Sequence, residues 1–263
     1  MATKRFHPTP LSERDLDFVV QAAAPDFKDK AQLKTLIKED SSFRKGLLEN
    51  PGLFQQVTDQ KQPLNLQISP LLFFEVLLRR AVKEMEGANH TVERTAFQRI
   101  PVFDVNETMA LLEEEEIICY LVQLLASFVR SESQTLTDID IDRLTKLGEE
   151  AVGNEERSFF VQKRIADVCL FVLGVFPEHL MLDYVYLFTK KEPPLIGEIR
   201  RNTGDYEALG QRFYALAAEH RLARIQGLRT VLQLLAENFY LAKKPLNFMS
   251  ERYLAIHQLK TPS

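Results

Sequence analysis

Two apolar stripes in the last third of the chain constrain its fold more than any other feature. In the first, side chains recur at positions three, four, seven, eight, eleven and twelve after the starting residue, which is one face of an α-helix. Its members are Tyr206, Leu209, Gly210, Phe213, Tyr214, Ala217 and Ala218. The second stripe follows at once, with Leu228, Val231, Leu232, Leu235, Phe239 and Ala242. Two consecutive stripes predict a C-terminal helical hairpin.

The same helical pattern extends through most of the remaining chain. Ser69 and Pro70 are typical of a helix start, and Gly87 is typical of the left-handed residue that follows a helix. Segments of this kind number about nine or ten, without the alternation of strands and helices of an α/β protein. The sequence therefore predicts an all-α fold, a compact multi-helix bundle with a C-terminal helical hairpin.

Several local features give narrower expectations. Residues 87–105 lack a clear periodicity but are rich in apolar side chains, so we expect an ordered loop that packs over the core. Asn106 is predicted to cap a single helix that continues to about Arg130. Gly174, inside another predicted helix, indicates the close approach of a second helix. Pro245 is predicted to begin the last short helix.

The helix signals also suggest how the chain is divided. The first sixty residues contain only short amphipathic segments, whereas longer helical patterns follow them. A chain of 263 residues can form one large domain or two small ones. We predict an N-terminal subdomain of short helices over residues 1–60, packed on a main helical domain over residues 61–263.

Composition and cysteine usage bear on the compartment. The chain is 45% hydrophobic and 27% charged, as in ordinary globular proteins, and its apolar runs fall short of the roughly 20 residues of a membrane span. Residues 1–10 lack the apolar region of a secretory signal. Cys119 and Cys169 lie in apolar helical runs without metal or redox spacing. We expect a soluble, cytoplasmic protein without a membrane partner.

The charge distribution argues against general nucleic-acid binding. The net charge is −4 and the pI is about 5.8, whereas nucleic-acid binders usually present a basic face. The basic pairs are scattered and are interpreted as flanking or capping helices: Arg79–Arg80, Lys190–Lys191, Arg200–Arg201 and Lys243–Lys244. Nucleic-acid binding would require such pairs to gather into a local basic face in the folded chain.

Four consecutive acids, residues 113–116, form the most unusual local feature. Four residues of a helix cover a full turn, so these carboxylates cannot all face the same side. The apolar stripe that follows extends backwards through Glu113 or Glu114, and Tyr120 lies about two helical turns further on. One reading is a carboxylate-containing ligand site in the core, lined by Glu113, Glu114 and Tyr120. The other is a solvated helix end, where acids near the N-terminus interact favourably with the helix dipole.

A calcium-loop spacing occurs but lacks an essential residue. Asp138, Asp140, Asp142 and Glu149 match positions 1, 3, 5 and 12 of an EF-hand loop. The sixth position requires glycine for its sharp turn, and here it is Arg143. We therefore interpret Asp138 as a helix cap and predict no metal site there.

Catalytic and cofactor signatures are missing from the sequence. The histidines show no zinc-binding spacing; they are His7, His90, His179, His220 and His257. Glycine-rich nucleotide-binding motifs and the nucleophile-elbow motif do not occur. We predict no catalytic residue, metal or cofactor, and the sequence gives no reason to assign an enzyme activity.

Basic residues gather at the predicted bend of the C-terminal hairpin. His220, Arg221 and Arg224 lie between the two stripes, and a loop with Pro193, Pro194, Arg200 and Arg201 precedes the first stripe. Basic side chains at a helix corner can bind an acidic segment, or can simply interact with the dipole of the preceding helix.

Three hypotheses about function follow. The first is a protein-interaction, scaffold or adaptor protein that contacts another protein through the bend and the Pro-rich loop, since helical hairpins supply grooves for peptides. The second is an enzyme or a small-ligand or metal-binding protein with its carboxylate-containing site in the helical core. The third is nucleic-acid binding through a local basic face.

Overall fold

The computed structural model of the chain describes residues 6, 9–59, 68–94, 99–130, 155–176 and 203–254. Within these ranges the chain is helical apart from one short hairpin of strands, which confirms the predicted all-α class. The helices are α1 (Glu13–Ala23), α2 (Lys30–Glu39), α3 (Ser41–Leu48), α4 (Pro51–Thr58), α5 (Pro70–Met85), α6 (Val105–Leu112), α7 (Glu115–Arg130), α8 (Glu155–Val175), α9 (Thr203–Glu219), α10 (Arg221–Ile225), α11 (Arg229–Glu237) and α12 (Phe239–Tyr253). The strands are β1 (Thr91–Arg94) and β2 (Arg99–Val102).

The four short helices at the N-terminus pack on one another and on α5. The side chain of Ser12 caps α1 and pairs reciprocally with Asp15 in a capping box. The second carboxylate oxygen of Asp15 accepts the backbone N–H of Ser69 at 2.7 Å, so the start of α1 is tied to the start of α5. Whether residues 1–60 form a separate subdomain stays a prediction.

Helix α5 lies near the centre of the apolar core. It starts as predicted, with the Ser69 hydroxyl capping the backbone N–H of Leu72 and Pro70 in the first turn. The expected left-handed conformation of Gly87 is wrong, because the glycine with positive φ in the described chain is Gly227. The N–H groups of Glu86 and Ala88 satisfy the carbonyl groups at the end of α5 without it.

The single helix predicted from Asn106 to Arg130 is also wrong. The structure contains two helices, α6 and α7, separated at Glu113 and Glu114. The Ile117 N–H bonds to the Glu114 carbonyl at 2.8 Å, a tight turn that starts the second helix. Asp104 rather than Asn106 precedes α6. The break changes which of the four acids faces the core.

Residues expected to form a loop contain the two-stranded hairpin instead. β1 and β2 pair antiparallel, with Thr91 opposite Val102 and Val92 opposite Pro101. The sequence alternation was obscured because the inward-facing positions of β1, Thr91 and Glu93, are polar, whereas those of β2, Ile100 and Val102, are apolar. The hairpin packs beside α12.

The predicted C-terminal hairpin is confirmed, with α9 packed on both α8 and α11. All six residues of the second stripe are buried, although the stripe is divided between α11 and α12. The expected close approach at Gly174 is confirmed, since this residue lies against Leu246. The helix start predicted at Pro245 is wrong, because Pro245 lies inside α12.

Candidate functional site

The predicted basic bend is an ordered turn between α9 and α11. His220 begins α10, and its Nδ1 accepts the backbone N–H of Leu222 at 3.2 Å. The imidazole ring lies 5.4 Å from the ring of Phe159 in α8. His220 is half-buried and fixes the turn, so the more exposed surface of the bend comes from its neighbours.

A glycine fixes the other end of α10. Gly227 has φ of +74°, and its N–H bonds to the carbonyl of Arg224 at 3.2 Å. The N–H of Leu228 bonds to the carbonyl of Ala223 at 2.7 Å, which completes a Schellman motif. Ala223 and Leu228 are buried by this turn, while Arg224 and Ile225 face solvent. Gly227, after a short run rich in basic residues, is a stop signal that the sequence analysis overlooked.

The bend presents positive charge beside an aliphatic side chain. The side chain of Arg221 is 72% exposed, and Ile225, one helical turn later, is 52% exposed. The Arg221 Nε lies 4.0 Å from a carboxylate oxygen of Glu155, whose side chain is also largely exposed. Such a pair is weak in water, so it leaves the guanidinium group accessible to a stronger acceptor.

The rest of the predicted contact surface lies outside the described residues. This applies to Pro193, Pro194, Arg200 and Arg201, and also to the acids of the calcium-like spacing, Asp138, Asp140, Asp142 and Glu149. The roles assigned to these residues stay predictions.

The four acids at the α6–α7 junction lie at a helix break. Glu113 and Glu114 are exposed, and both readings of them, a ligand site or a solvated helix end, stay predictions. The helix break turns Glu115 inwards, where it is bound through both carboxylate oxygens by Arg79 of α5. The predicted positions of the four acids assumed one continuous helix from Asn106 to Arg130, whereas the structure has two helices there.

Arg79 belongs to a network of four charged side chains, of which Glu115 alone is 35% exposed. The Nη2 of Arg79 lies 3.0 Å from Oε1 of Glu75, and the Nε of Arg44 lies 3.1 Å from the same oxygen. Arg44, Glu75 and Arg79 are each less than a tenth exposed. The carboxylates of Glu75 and Glu115 raise the pKa of Arg79 against the opposing effect of burial. Arg79 therefore stays ionised, and the network links α3, α5 and α7.

A small cavity with both apolar and polar lining residues adjoins this network. It is lined by Thr9, Arg44, Glu75, Cys119 and Gln123, among others, and has a volume of about 10 Å³. That volume holds about one water molecule. Burial raises the pKa of the Cys119 thiol to about 12, and the carboxylates of Glu115 and Glu75 add to this shift. The thiol is therefore protonated at neutral pH, in an environment unlike that of a nucleophilic cysteine.

Tyr120, the third residue of the predicted core site, belongs to a different cluster. Its hydroxyl donates to Oδ1 of Asp167 at 2.7 Å, and the hydroxyl of Tyr214 donates to the same oxygen at 2.9 Å. Lys163 donates to Oδ2 at 2.6 Å. The pKa of both tyrosines is raised, first by burial and then by the charge of Asp167. Asp167 was overlooked, although it is the lone charged residue of the apolar run at residues 165–175.

A third buried cluster contains the basic pair of α12. Lys243 and Lys244 are each less than a twentieth exposed, so their interpretation as helix-flanking residues is wrong. The ring of Tyr240 lies 4.6 Å from the Lys243 Nζ and 4.1 Å from the Lys244 Nζ. Lys243 lies four residues after Phe239, a member of the second apolar stripe. Residues four apart lie on the same face of a helix, so this spacing could have indicated that Lys243 is buried.

The acceptors of these lysines come from the hairpin and from α9. Lys243 is bound to Glu93 of β1, at 2.9 Å, and to Glu207 of α9. Lys244 is bound to the Thr91 hydroxyl, at 2.8 Å, and to Asp104. Thr91 and Glu93 of the hairpin are thus attached to α12 through the two lysines.

The described residues form neither a metal-binding cluster nor a membrane-spanning helix. Among these residues, no group of three His, Cys, Asp or Glu side chains could hold a metal ion. None of the described helices combines the length and the apolar character needed to cross a membrane. Comparison of the chain with protein-family models, with curated proteins and with solved structures gave no match.

Proposed function

We propose that this protein is an adaptor that binds an acidic segment of another protein through the bend at His220, Arg221, Arg224 and Ile225. The observation that carries this proposal is the pairing of exposed guanidinium groups with an exposed aliphatic side chain on one fixed turn. Arginine binds carboxylates through two parallel hydrogen bonds, and an apolar contact beside it adds affinity.

The rigidity of the bend supports a binding role. The His220 cap and the Schellman motif at Gly227 hold the backbone of α10 at both ends. A partner that binds a preorganised surface avoids the entropic cost of ordering it. Little conformational freedom would therefore be lost in the bend when a partner binds.

The second hypothesis, a ligand site in the core, receives less support from the geometry. Its predicted carboxylates, Glu113 and Glu114, lie on the surface, away from the buried cluster of Tyr120. The cavity beside Glu75 is about 10 Å³, whereas ligand pockets commonly have volumes of about 300–1,000 Å³.

The test compares partner recovery by two matched double variants. Arg221→Glu with Arg224→Glu reverses the charge of the bend, and Lys28→Glu with Lys45→Glu reverses two exposed lysines in the N-terminal region. Tagged proteins are expressed in the native source, and co-purified proteins are quantified by mass spectrometry. We expect the bend variant alone to lose a partner that has an acidic segment, at least tenfold.

The wild-type complex should also weaken as salt is raised, because its contacts are between exposed charges. Equal recovery by the wild type and the bend variant would contradict the proposal. So would loss of the partner from both double variants, since that result reports net charge rather than the bend.

A further inference from the structure

The hairpin of β1 and β2 has an inner face, which meets the lysines of α12, and an outer face. Residues directly opposite each other on antiparallel strands point to the same side, and successive residues alternate. Thr91 and Glu93 therefore share the face that meets Lys244 and Lys243. Val92 and its partner Pro101 lie on the other face.

The outer face continues beyond the ends of the strands. The register that pairs Thr91 with Val102 places His90 opposite Phe103, and their rings lie 6.2 Å apart in an edge-to-face arrangement. Phe103 is 80% exposed and Val92 is 39% exposed. On the opposite face Thr91 and Glu93 bind lysines, and Ile100 is 41% exposed. Phe103 is therefore the most exposed large apolar side chain of this region, and an exposed apolar patch commonly marks an interaction site.

The charges of this outer face have one sign. Its described side chains are His90, Val92, Arg99, Pro101 and Phe103, and none is acidic. The side chain of Arg99 is 68% exposed, and its Nη2 bonds to Glu251 at 2.6 Å. A guanidinium group has five N–H donors, so other donors of Arg99 stay open to solvent. The acids of this region, Glu93 and Asp104, instead bind the buried lysines.

We infer that this outer face is a second docking surface, for a short segment of another protein with apolar side chains next to acidic ones. Phe103 and Val92 supply the apolar contact, and Arg99 supplies the charge that selects acids. A second copy of the chain is a poor occupant: two strands of four residues present a few hundred Å² at most, whereas stable interfaces bury about 800 Å² per partner.

This surface is separate from the bend. Glu207, which anchors the hairpin through Lys243, lies near the start of α9, and the bend follows its last residue, Glu219. Twelve residues of helix separate these two positions by about 18 Å. Two surfaces at this distance allow one chain to hold two segments at once, and each can be tested without disturbing the other.

The experiment uses a random dodecapeptide library displayed on phage and selected on the full-length protein. Peptides that also bind the Phe103→Ser variant are removed, and the survivors are synthesised and titrated by fluorescence anisotropy. We expect aliphatic or aromatic residues beside Asp or Glu in these peptides. Phe103→Ser should weaken their binding at least tenfold, as removal of an aromatic anchor commonly does.

Controls separate this surface from the bend and from loss of the fold. Ile225→Ser removes an exposed apolar side chain from the bend and should leave peptide affinity within twofold. Arg99→Glu should weaken acidic peptides but not their amide counterparts. The unfolding midpoint of Phe103→Ser should equal that of the wild type, because the phenylalanine is largely exposed.

Three outcomes would overturn the inference. The first is a selection that yields no peptide preferring the wild type over Phe103→Ser. The second is a set of peptides that are basic, or that lose affinity in Ile225→Ser instead. The third is a wild-type dimer in sedimentation experiments that dissociates in Phe103→Ser, which would identify a second copy as the occupant.

Discussion

Gly174 of α8 lies so close to Leu246 of α12 that a Cβ atom on the glycine would be 2.7 Å from the Cβ of the leucine. Carbon atoms in ordinary contact are about 3.5–4.0 Å apart. Asn247 reinforces the same crossing, because its Nδ2 donates to the carbonyl groups of Leu173 and Gly174 at 2.7 and 2.8 Å. The two helices therefore meet almost backbone to backbone.

Substitution of Gly174 by alanine should separate these helices. We expect Gly174→Ala to lower the free energy of unfolding by about 1–3 kcal/mol, the usual effect of overpacking a core. Gly46→Ala is the matched control, because Gly46 also lies in a helix and has open space around it. That change should stabilise the protein by about 0.5–1 kcal/mol. Urea denaturation distinguishes the two, and equal effects would contradict the packing described for Gly174.

Neutralisation of Glu75 should destabilise the buried network strongly. In Glu75→Gln, Arg44 and Arg79 would remain buried with one carboxylate fewer to bind, and such changes cost about 3–5 kcal/mol. Glu113→Gln, at an exposed carboxylate of the helix break, should change stability by less than about 0.5 kcal/mol. Thermal unfolding at pH 7 measures both. A small effect of Glu75→Gln would show that the two arginines find other acceptors.

Alkaline pH should destabilise the protein through Cys119. The folded pKa of about 12 lies above the value of about 8.5 for an unfolded cysteine. The unfolded chain thus loses this proton first, and stability falls as pH rises from about 8.5 towards 12. The contribution is at most about 1.4 kcal/mol per pH unit. The free energy of unfolding, measured by chemical denaturation between pH 8.5 and 10, should fall less steeply with pH in Cys119→Ala than in the wild type. An identical pH dependence in the two proteins would contradict the raised pKa of Cys119.

Removal of one lysine should loosen the hairpin selectively. Lys244→Met would leave Asp104 and Thr91 without their buried cation. We expect amide hydrogens of β1 and β2 to exchange at least tenfold faster, while those of α8 remain protected. Lys38→Met, at an exposed ion pair with Glu13, should leave the hairpin amides unchanged. Unaltered exchange in Lys244→Met would show that other contacts hold the hairpin.

The helical class and the C-terminal hairpin were predictable because apolar periodicity dominates there. Every residue of the second stripe is buried, and Gly174 lies at a helix crossing as expected. Strand β1 was missed because its inward-facing residues, Thr91 and Glu93, are polar and bind lysines. Strand β2 is only four residues long, too short for a clear alternation. Sequence periodicity detects apolar burial and does not detect burial compensated by ion pairs.

The candidate site was predictable only in part. The basic residues of the bend were predictable from their position between the two apolar stripes. The exposure of Ile225 was not, because it depends on how α10 packs. Glu115 rather than Glu113 faces the core because the helix breaks before it, and no local pattern fixed that break. The outer face of the hairpin depends on a strand register that the sequence did not reveal.

The ion pairs that hold the hairpin have a consequence for the order of folding. Glu93 and Lys243 are 150 residues apart in the sequence, and Asp104 and Lys244 are 140 apart. During synthesis the hairpin residues leave the ribosome well before their lysines exist. Contacts of such high sequence separation form late, since a long loop must close first. The hairpin can therefore attach only after α12 has folded into position.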